Sequence, residues 1–212
     1  MHTALIPLAQ SLSAVGRKPF SLPFKIAVVA APERWLHTQV MRALVTIAGR
    51  EGHTGVVVGY NRVGVPQMAD WAHAQGLDPN VVLKRIQSVR TETSDRLPWL
   101  LLNLDRATWQ SWSALCVLGL LSNFLDPDLN ETLARLHLNQ TLYQLKRLAN
   151  EGLPILITLP PRIPSRASVQ HKTRYARFWE MIVESADEFA EMPAQRSDAP
   201  TAHQPSLALT VA

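Results

Sequence analysis

Cysteine is nearly absent from this sequence, in which Cys116 is the only one among 212 residues. A single thiol can form neither a disulfide within the chain nor a cysteine-based zinc site, so the composition predicts an intracellular, cytoplasmic protein. The seven histidines are scattered, and none stands in the H-E-x-x-H spacing of zinc hydrolases. We therefore expect no metal site.

Long hydrophobic runs are also missing. No apolar stretch reaches the roughly 18–20 residues that a membrane-spanning helix needs. The first 20 residues are weakly apolar and carry no early basic cluster, so they do not predict a signal peptide. The net charge is +4, with an isoelectric point of about 9.6. This mildly basic balance permits contact with nucleic acid without requiring it.

The stretch from Lys25 to Gly49 predicts a strand, a turn and a helix. It opens with the β-branched run Ile26–Ala30 and continues into a segment whose apolar residues recur on one helical face. Such a junction is where a phosphate-binding loop would lie, because the first turn of a helix presents unpaired N–H groups and the positive end of its dipole.

The residues of a phosphate-binding loop are missing from this junction. The motif G-x-x-x-x-G-K-[ST] aligns with residues 31–38, where Ala31 and Leu36 replace the glycines and His37 replaces the lysine. Only Thr38 matches. Side chains at the glycine positions disfavour close wrapping around phosphate, and histidine is too short and mostly neutral near pH 7. We expect no nucleotide cofactor here. The alternative interpretation is an ordinary strand-to-helix turn.

Strand and helix patterns alternate through the rest of the chain. This order predicts a three-layer α/β domain over residues 24–192 with a mostly parallel sheet, preceded by an arm (1–23) and followed by a disordered tail (193–212). The predicted further strands are Thr54–Tyr60, Ile86–Arg90, Ser113–Leu121, Leu153–Leu159 and Asp187–Met192. The predicted further helices are Pro66–Gln75, Pro79–Lys84 with Asp78 as cap, one within Thr93–Gln110, Leu129–Asn150 and Arg174–Ala186.

This order of elements resembles the core of the RecA-like ATPases, most closely the recombinase branch and its paralogues. The resemblance covers about residues 24–192 and implies a RecA-like, P-loop NTPase-type fold. It is carried by the junction described above and by three further blocks. The first block is GVVVGYNR followed by GLDPNVVLKRIQSVRT, and the second is SALCVLGLLSNFLDPD at the Walker B position. The third is the helix NQTLYQLKRLANEG leading into the strand LPILITLPP.

The departures from that family are as informative as the matches. The Walker B aspartate, which helps to hold Mg²⁺ in the family, falls on Gly119. The family's catalytic glutamate falls in the segment Tyr60-Asn61-Arg62, where no side chain can act as a base. Together with the missing lysine and glycines, this predicts a RecA-like fold without ATPase activity, and therefore a protein that is not an enzyme.

A basic segment follows the predicted fifth strand. In recombinases the loop after this strand contacts DNA, so the resemblance implies possible DNA contact through residues 160–177. The alternative is an ordinary solvated surface. The candidate residues are Arg162, Arg166, Lys172, Arg174, Tyr175 and Arg177, with the tyrosine stacking on a base.

The N-terminal arm is a second candidate for binding. Recombinases pack an extended segment against the neighbouring protomer, and Phe20 and Phe24 would be its anchors here. In the alternative, both rings pack on their own domain.

The resemblance implies an accessory or structural subunit in DNA recombination, repair or a related transaction, with DNA, a recombinase-like ATPase or further copies as partners. A module that binds only protein remains open. A different enzyme has no support, because we find no carboxylate pair, Ser-His-Asp set or metal cluster.

Overall fold

The computed structural model describes residues 25–50, 52–59, 64–161 and 169–191. Its centre is a six-stranded sheet in the order β3-β2-β4-β5-β1-β6, in which every neighbouring pair is parallel. The strands are β1 (Ile26–Ala30), β2 (His53–Val58), β3 (Ile86–Arg90), β4 (Trp112–Leu118), β5 (Ile155–Leu159) and β6 (Glu188–Glu191).

Helices cover both faces of this sheet, so the predicted three-layer α/β architecture is confirmed. One buried cluster joins the sheet to the first three helices, and a second joins its other face to the last four. The helices are α1 (Glu33–Arg50), α2 (Val65–Ala74), α3 (Pro79–Arg85), α4 (Arg96–Leu102), α5 (Arg106–Gln110), α6 (Glu131–Asn150) and α7 (Val169–Glu184).

The innermost strands are apolar along their whole length because both of their faces are covered. Every residue of β1 and β5 is buried, as are the last five residues of β4. Such continuous apolar runs are typical of parallel strands inside an α/β sheet. The edge strands differ, since four of the five residues of β3 are exposed.

The strand order creates a crevice at the carboxyl edge of the sheet. The chain leaves β1 for α1 on one face, whereas it leaves β5 for α7 on the other face. Neighbouring strands whose connections diverge in this way leave a gap between their ends, where ligands bind in open α/β sheets. The order found here differs from the Rossmann order 3-2-1-4-5-6, in which the two strands beside that gap are the first and the fourth.

Local predictions succeeded where the signal was strong. The strand Ile86–Arg90 has the predicted bounds. Asp78 caps α3 as expected, since its Oδ1 accepts a hydrogen bond from the backbone N–H of Asn80 at 2.9 Å and Pro79 holds the first helical position. The closing strand is present as β6.

Several boundaries differ from the prediction, and three differences are the largest. The single helix expected within residues 93–110 is two short helices, because Asp105 starts a new one by accepting the backbone N–H of Thr108 at 3.1 Å. The fourth strand ends at Leu118 and not at Leu121. Helix α7 begins at Val169, five residues before the predicted start at Arg174.

The predicted arm (1–23) and tail (193–212) lie outside the described residues. No helix within the described ranges is long and apolar enough to cross a membrane.

Candidate functional site

The crevice lies where the ends of β1, β4 and β5 meet the start of α1. The described part of its walls is mostly backbone and apolar side chains, and it includes no carboxylate and no lysine. The lining residues are Leu36, His37, Leu118, Gly119, Ser122, Thr158, Leu159 and Pro160.

The junction after β1 commits one of its backbone donors to the sheet. The backbone N–H of Ala31 donates to the carbonyl of Leu159 at 3.1 Å, which extends the pairing of β1 and β5 by one residue. The Leu36 side chain is buried in the core cluster beneath α1. His37 and Thr38 are half-buried in the same turn. A phosphate loop instead aims several N–H groups at the ligand.

At the end of β4 lies Gly119, the residue that the resemblance aligns with the Walker B aspartate, and it contributes only backbone. Gly119 adopts a left-handed conformation with φ of 66° and ends the strand. Its N–H donates to Thr158 Oγ1 at 3.0 Å, so the ends of β4 and β5 are joined to each other. Nearby, the buried Asn123 amide donates to the Thr91 hydroxyl at 2.8 Å. No carboxylate stands at this strand end to hold a cation.

The space enclosed by these walls is small. The cavity measures about 30 Å³, which is room for a water molecule or two. Ligand pockets span roughly 300–1,000 Å³. Within the described ranges, moreover, no three His, Cys, Asp or Glu side chains converge where they could hold a metal ion. The residues present here do not fit a triphosphate with its metal.

The structure divides the predicted basic segment into residues with different roles. Arg174 faces inward, where its Nη1 donates to the carbonyl of Leu129 at 2.9 Å and its Nη2 to that of Phe124 at 2.5 Å. Its guanidinium also lies 5.6 Å from the Phe178 ring centroid. The expectation that Arg174 contacts DNA is therefore not supported, because its donors hold the loop that precedes α6.

Tyr175 is likewise part of the core. Only 4% of its surface is exposed, and its hydroxyl donates to the carbonyl of Pro161 at 2.6 Å. Burial raises the pKa of this phenol above its usual range. A buried ring presents no face to a base, so the predicted stacking is not supported.

The remaining candidates differ in accessibility. Lys172 is exposed on the first turns of α7. Arg177 is also exposed, but its Nη1 contacts Glu131 Oε1 at 2.5 Å. Arg162 and Arg166 lie outside the described residues, as do Phe20 and Phe24.

Sequence reasoning missed one cluster, which lies between α4 and α6. Ser94 Oγ and His137 Nδ1 are 2.9 Å apart. A hydrogen bond from the Thr93 side chain lowers the pKa of the neighbouring Asp95, and the electrostatic interaction with His137 lowers it further. No described residue forms a hydrogen bond with His137 Nε2, so the third group of a catalytic triad is missing. Ser94 and His137 are 43 residues apart, and only the packing of two helices brings them together.

Beside this cluster is an open groove of about 590 Å³ between α4 and α6. Trp99, Pro98 and Leu102 form one wall, while Gln140 and Gln144 line the other. Its volume falls within the range of pockets that hold a ligand or an anchoring side chain.

Comparison with protein-family models finds no match for this chain, and comparison with curated proteins finds none either.

Proposed function

We propose that this chain is a non-catalytic relative of the RecA-like ATPases that serves as an accessory or structural subunit in cytoplasmic DNA recombination, repair or a related DNA transaction. The strongest support is the crevice between β1 and β5. The position that holds a nucleotide in that family is lined by Leu36, Leu159 and Pro160 and encloses about 30 Å³. Such a site favours a protein that acts by binding macromolecules.

The nucleotide part of the proposal is tested with ATP. We expect no magnesium-dependent ATP turnover and no rise in melting temperature on adding ATP, because ligands that bind only the folded state would stabilise it. Turnover that disappears in a Thr38→Ala variant would contradict the proposal, since it would place a working phosphate site at this junction.

The DNA part of the proposal depends on Arg162, Arg166 and Lys172, with Arg177 contributing only where phosphate displaces Glu131. Lys172 is exposed on α7 without an ion pair to another described residue, which supports a phosphate-contacting role. Contacts of this kind release counterions, so binding should weaken steeply with salt.

A mobility assay with duplex and single-stranded DNA at about 0.05 and 0.2 M salt tests this part. We expect an Arg162→Ala, Arg166→Ala, Lys172→Ala variant to lose binding. Lys172→Ala alone is compared with Lys84→Ala, which removes another exposed lysine, from α3 on the other layer. Equal losses in the two single variants would mean that the charge acts without a defined interface.

A second candidate function is a module that binds only protein, such as a recombinase-like ATPase or further copies of this chain. The exposed apolar residues on α4 and α6 favour it. Retained self-association or partner binding without any DNA shift would support this candidate. If Phe20 and Phe24 are the anchors, Phe20→Ala with Phe24→Ala should convert an oligomer to monomers in sedimentation, and an unchanged oligomer would exclude them.

A further inference from the structure

Most of the large apolar residues that are exposed in the described part of the chain lie on two neighbouring helices, α4 and α6. Nine large hydrophobic residues are exposed in the described part of the chain, and five of them lie on α4 and α6. Trp99 is 65% exposed and Tyr143 is 68% exposed. We call this surface the α4–α6 face, and its exposed apolar members are Trp99, Leu102, Leu133, Leu136 and Tyr143. Exposed apolar residues that cluster on neighbouring elements are typical of interaction sites on protein surfaces.

The spacing along α6 matches a helix-binding seam. Leu133, Leu136, Gln140 and Tyr143 follow one another at intervals of three, four and three residues. This is the spacing of the a and d positions of a heptad, which form a narrow stripe that packs against another helix. The opposite side of α6 is already covered, because Ala134, Leu138 and Leu145 are buried in the core. Helix α6 therefore has two apolar sides, of which only one contacts the sheet.

The groove between α4 and α6 opens beside this seam and is suited to an anchoring side chain. Trp99, Pro98 and Leu102 supply an apolar wall. On the other side, the amides of Gln140 and Gln144 line the groove, and Gln140 is exposed. A tryptophan from a partner would cover the indole of Trp99 and offer its N–H to the amide oxygen of Gln140.

The charges around the face indicate the sign of the partner. Arg96 on α4 and Arg135 and Lys146 on α6 are exposed, and none forms an ion pair with another described residue. Asp95 is the one carboxylate that lines the groove. A partner with carboxylates on its flanks therefore complements this surface. A second copy of this chain would instead present the same excess of positive charge.

We propose that the α4–α6 face binds an amphipathic α-helix of a partner protein, with a tryptophan anchor on its apolar side and carboxylates on its flanks. This proposal refines the protein-binding candidate above. Its test involves neither DNA nor ATP, so its failure is distinguishable from the failure of the DNA-subunit proposal.

The probe is a synthetic peptide of about 21 residues, roughly the length of α6. It carries leucines at heptad a and d positions, one central tryptophan at a d position, glutamates on the flanks and a fluorescein label. Two matched peptides replace the glutamates by lysines or the tryptophan by alanine. Fluorescence anisotropy with the full chain, at about 0.15 M salt, measures their affinities.

We expect saturable binding of the glutamate peptide and at least about tenfold weaker binding of each matched peptide. Trp99→Ser with Tyr143→Ser should weaken the glutamate peptide by a similar factor. Val81→Ser, which changes an exposed valine of α3 on the opposite layer, should leave it unchanged. Because all three positions are exposed, melting curves should show that the variants stay folded.

Charge reversal gives the decisive comparison. Arg96→Glu with Lys146→Glu should invert the preference, so that the lysine peptide binds more tightly than the glutamate peptide. Equal affinities for the two peptides, or affinities that the Trp99 and Tyr143 variant does not change, would overturn the proposal. So would dimerisation of the unmodified chain in sedimentation velocity that is abolished by Tyr143→Ser, because a second copy would then occupy the face.

Discussion

Thr158 and Gly119 are joined across the carboxyl edge of the sheet, where the backbone N–H of Gly119 donates to Thr158 Oγ1 at 3.0 Å. The two residues end neighbouring strands, and both line the crevice. This hydrogen bond holds the two strand ends together. It gives the backbone N–H of Gly119 an acceptor and the hydroxyl oxygen of Thr158 a donor. One backbone donor in the wall of the crevice is therefore used by the fold itself.

The first prediction concerns the backbone at Gly119. Its φ of 66° lies in the left-handed region, where a β-carbon costs about 1–2 kcal/mol. Gly119→Ala should lower the free energy of unfolding by that amount in urea titrations. Gly119→Asn is the matched control and should cost less, because asparagine tolerates this conformation. Equal losses in the two variants would show that side-chain volume, and not backbone conformation, limits this position.

The second prediction separates Arg174 from Lys172. Arg174→Ala leaves the carbonyls of Phe124 and Leu129 without their donor, so it should lower the free energy of unfolding by about 2–4 kcal/mol. Lys172→Ala should change it by less than about 0.5 kcal/mol, because the side chain is exposed. Thermal and urea denaturation measure both. An Arg174→Ala variant of unchanged stability but reduced DNA affinity would restore Arg174 to the predicted interface.

The third prediction is a loss of stability at alkaline pH caused by Tyr175. Burial raises the pKa of its phenol in the folded state, so above about pH 10 the unfolded chain releases a proton that the folded chain keeps. Stability should therefore fall as the pH rises through that value. Tyr175→Phe should flatten this fall, while costing about 1 kcal/mol at neutral pH through its lost hydrogen bond to Pro161.

Urea titrations at several pH values between about 8 and 11 would measure this effect. They are best made in a Cys116→Ala background, because burial also raises the pKa of that thiol to about 12 and contributes with the same sign. A slope that Tyr175→Phe leaves unchanged would assign the alkaline transition to other groups.

The fourth prediction concerns the reactivity of Cys116. Its side chain is fully buried in β4, and burial raises its pKa to about 12. Since the thiolate is the reactive form, iodoacetamide at about pH 8 should leave Cys116 unmodified in the folded protein and alkylate it in urea. An added exposed thiol, Val81→Cys, is the positive control. Rapid labelling of native Cys116 would indicate that β4 opens to solvent.

The secondary structure followed the sequence where the signal was local. The apolar run of β4 and the capped start of α3 were predictable because burial on both faces and a short-range hydrogen bond leave patterns within a few residues. The break at Asp105 also has a local signal, a capping aspartate three residues before Thr108. It was masked by the leucines before it and by Trp109 after it, which continue a helical pattern.

The roles of the charged and aromatic residues depend on contacts between distant segments, so the sequence did not predict them. The basic segment was interpreted from its composition, in which Arg174 and Lys172 are equivalent. The structure distinguishes them, because Arg174 meets the carbonyl of Phe124 from 50 positions away in the chain. The groove at Trp99 also had no linear signature, since its two walls come from different helices.

The sequence alone determined the alternation of strands and helices and the absence of a phosphate-binding motif at residues 31–38, because these are properties of adjacent positions. The tertiary structure decided which cations are structural, how small the crevice is, and that α6 keeps a second apolar side exposed beside Trp99. These features depend on which surfaces the folded chain brings together, and contacts between distant segments leave no periodic pattern in the sequence.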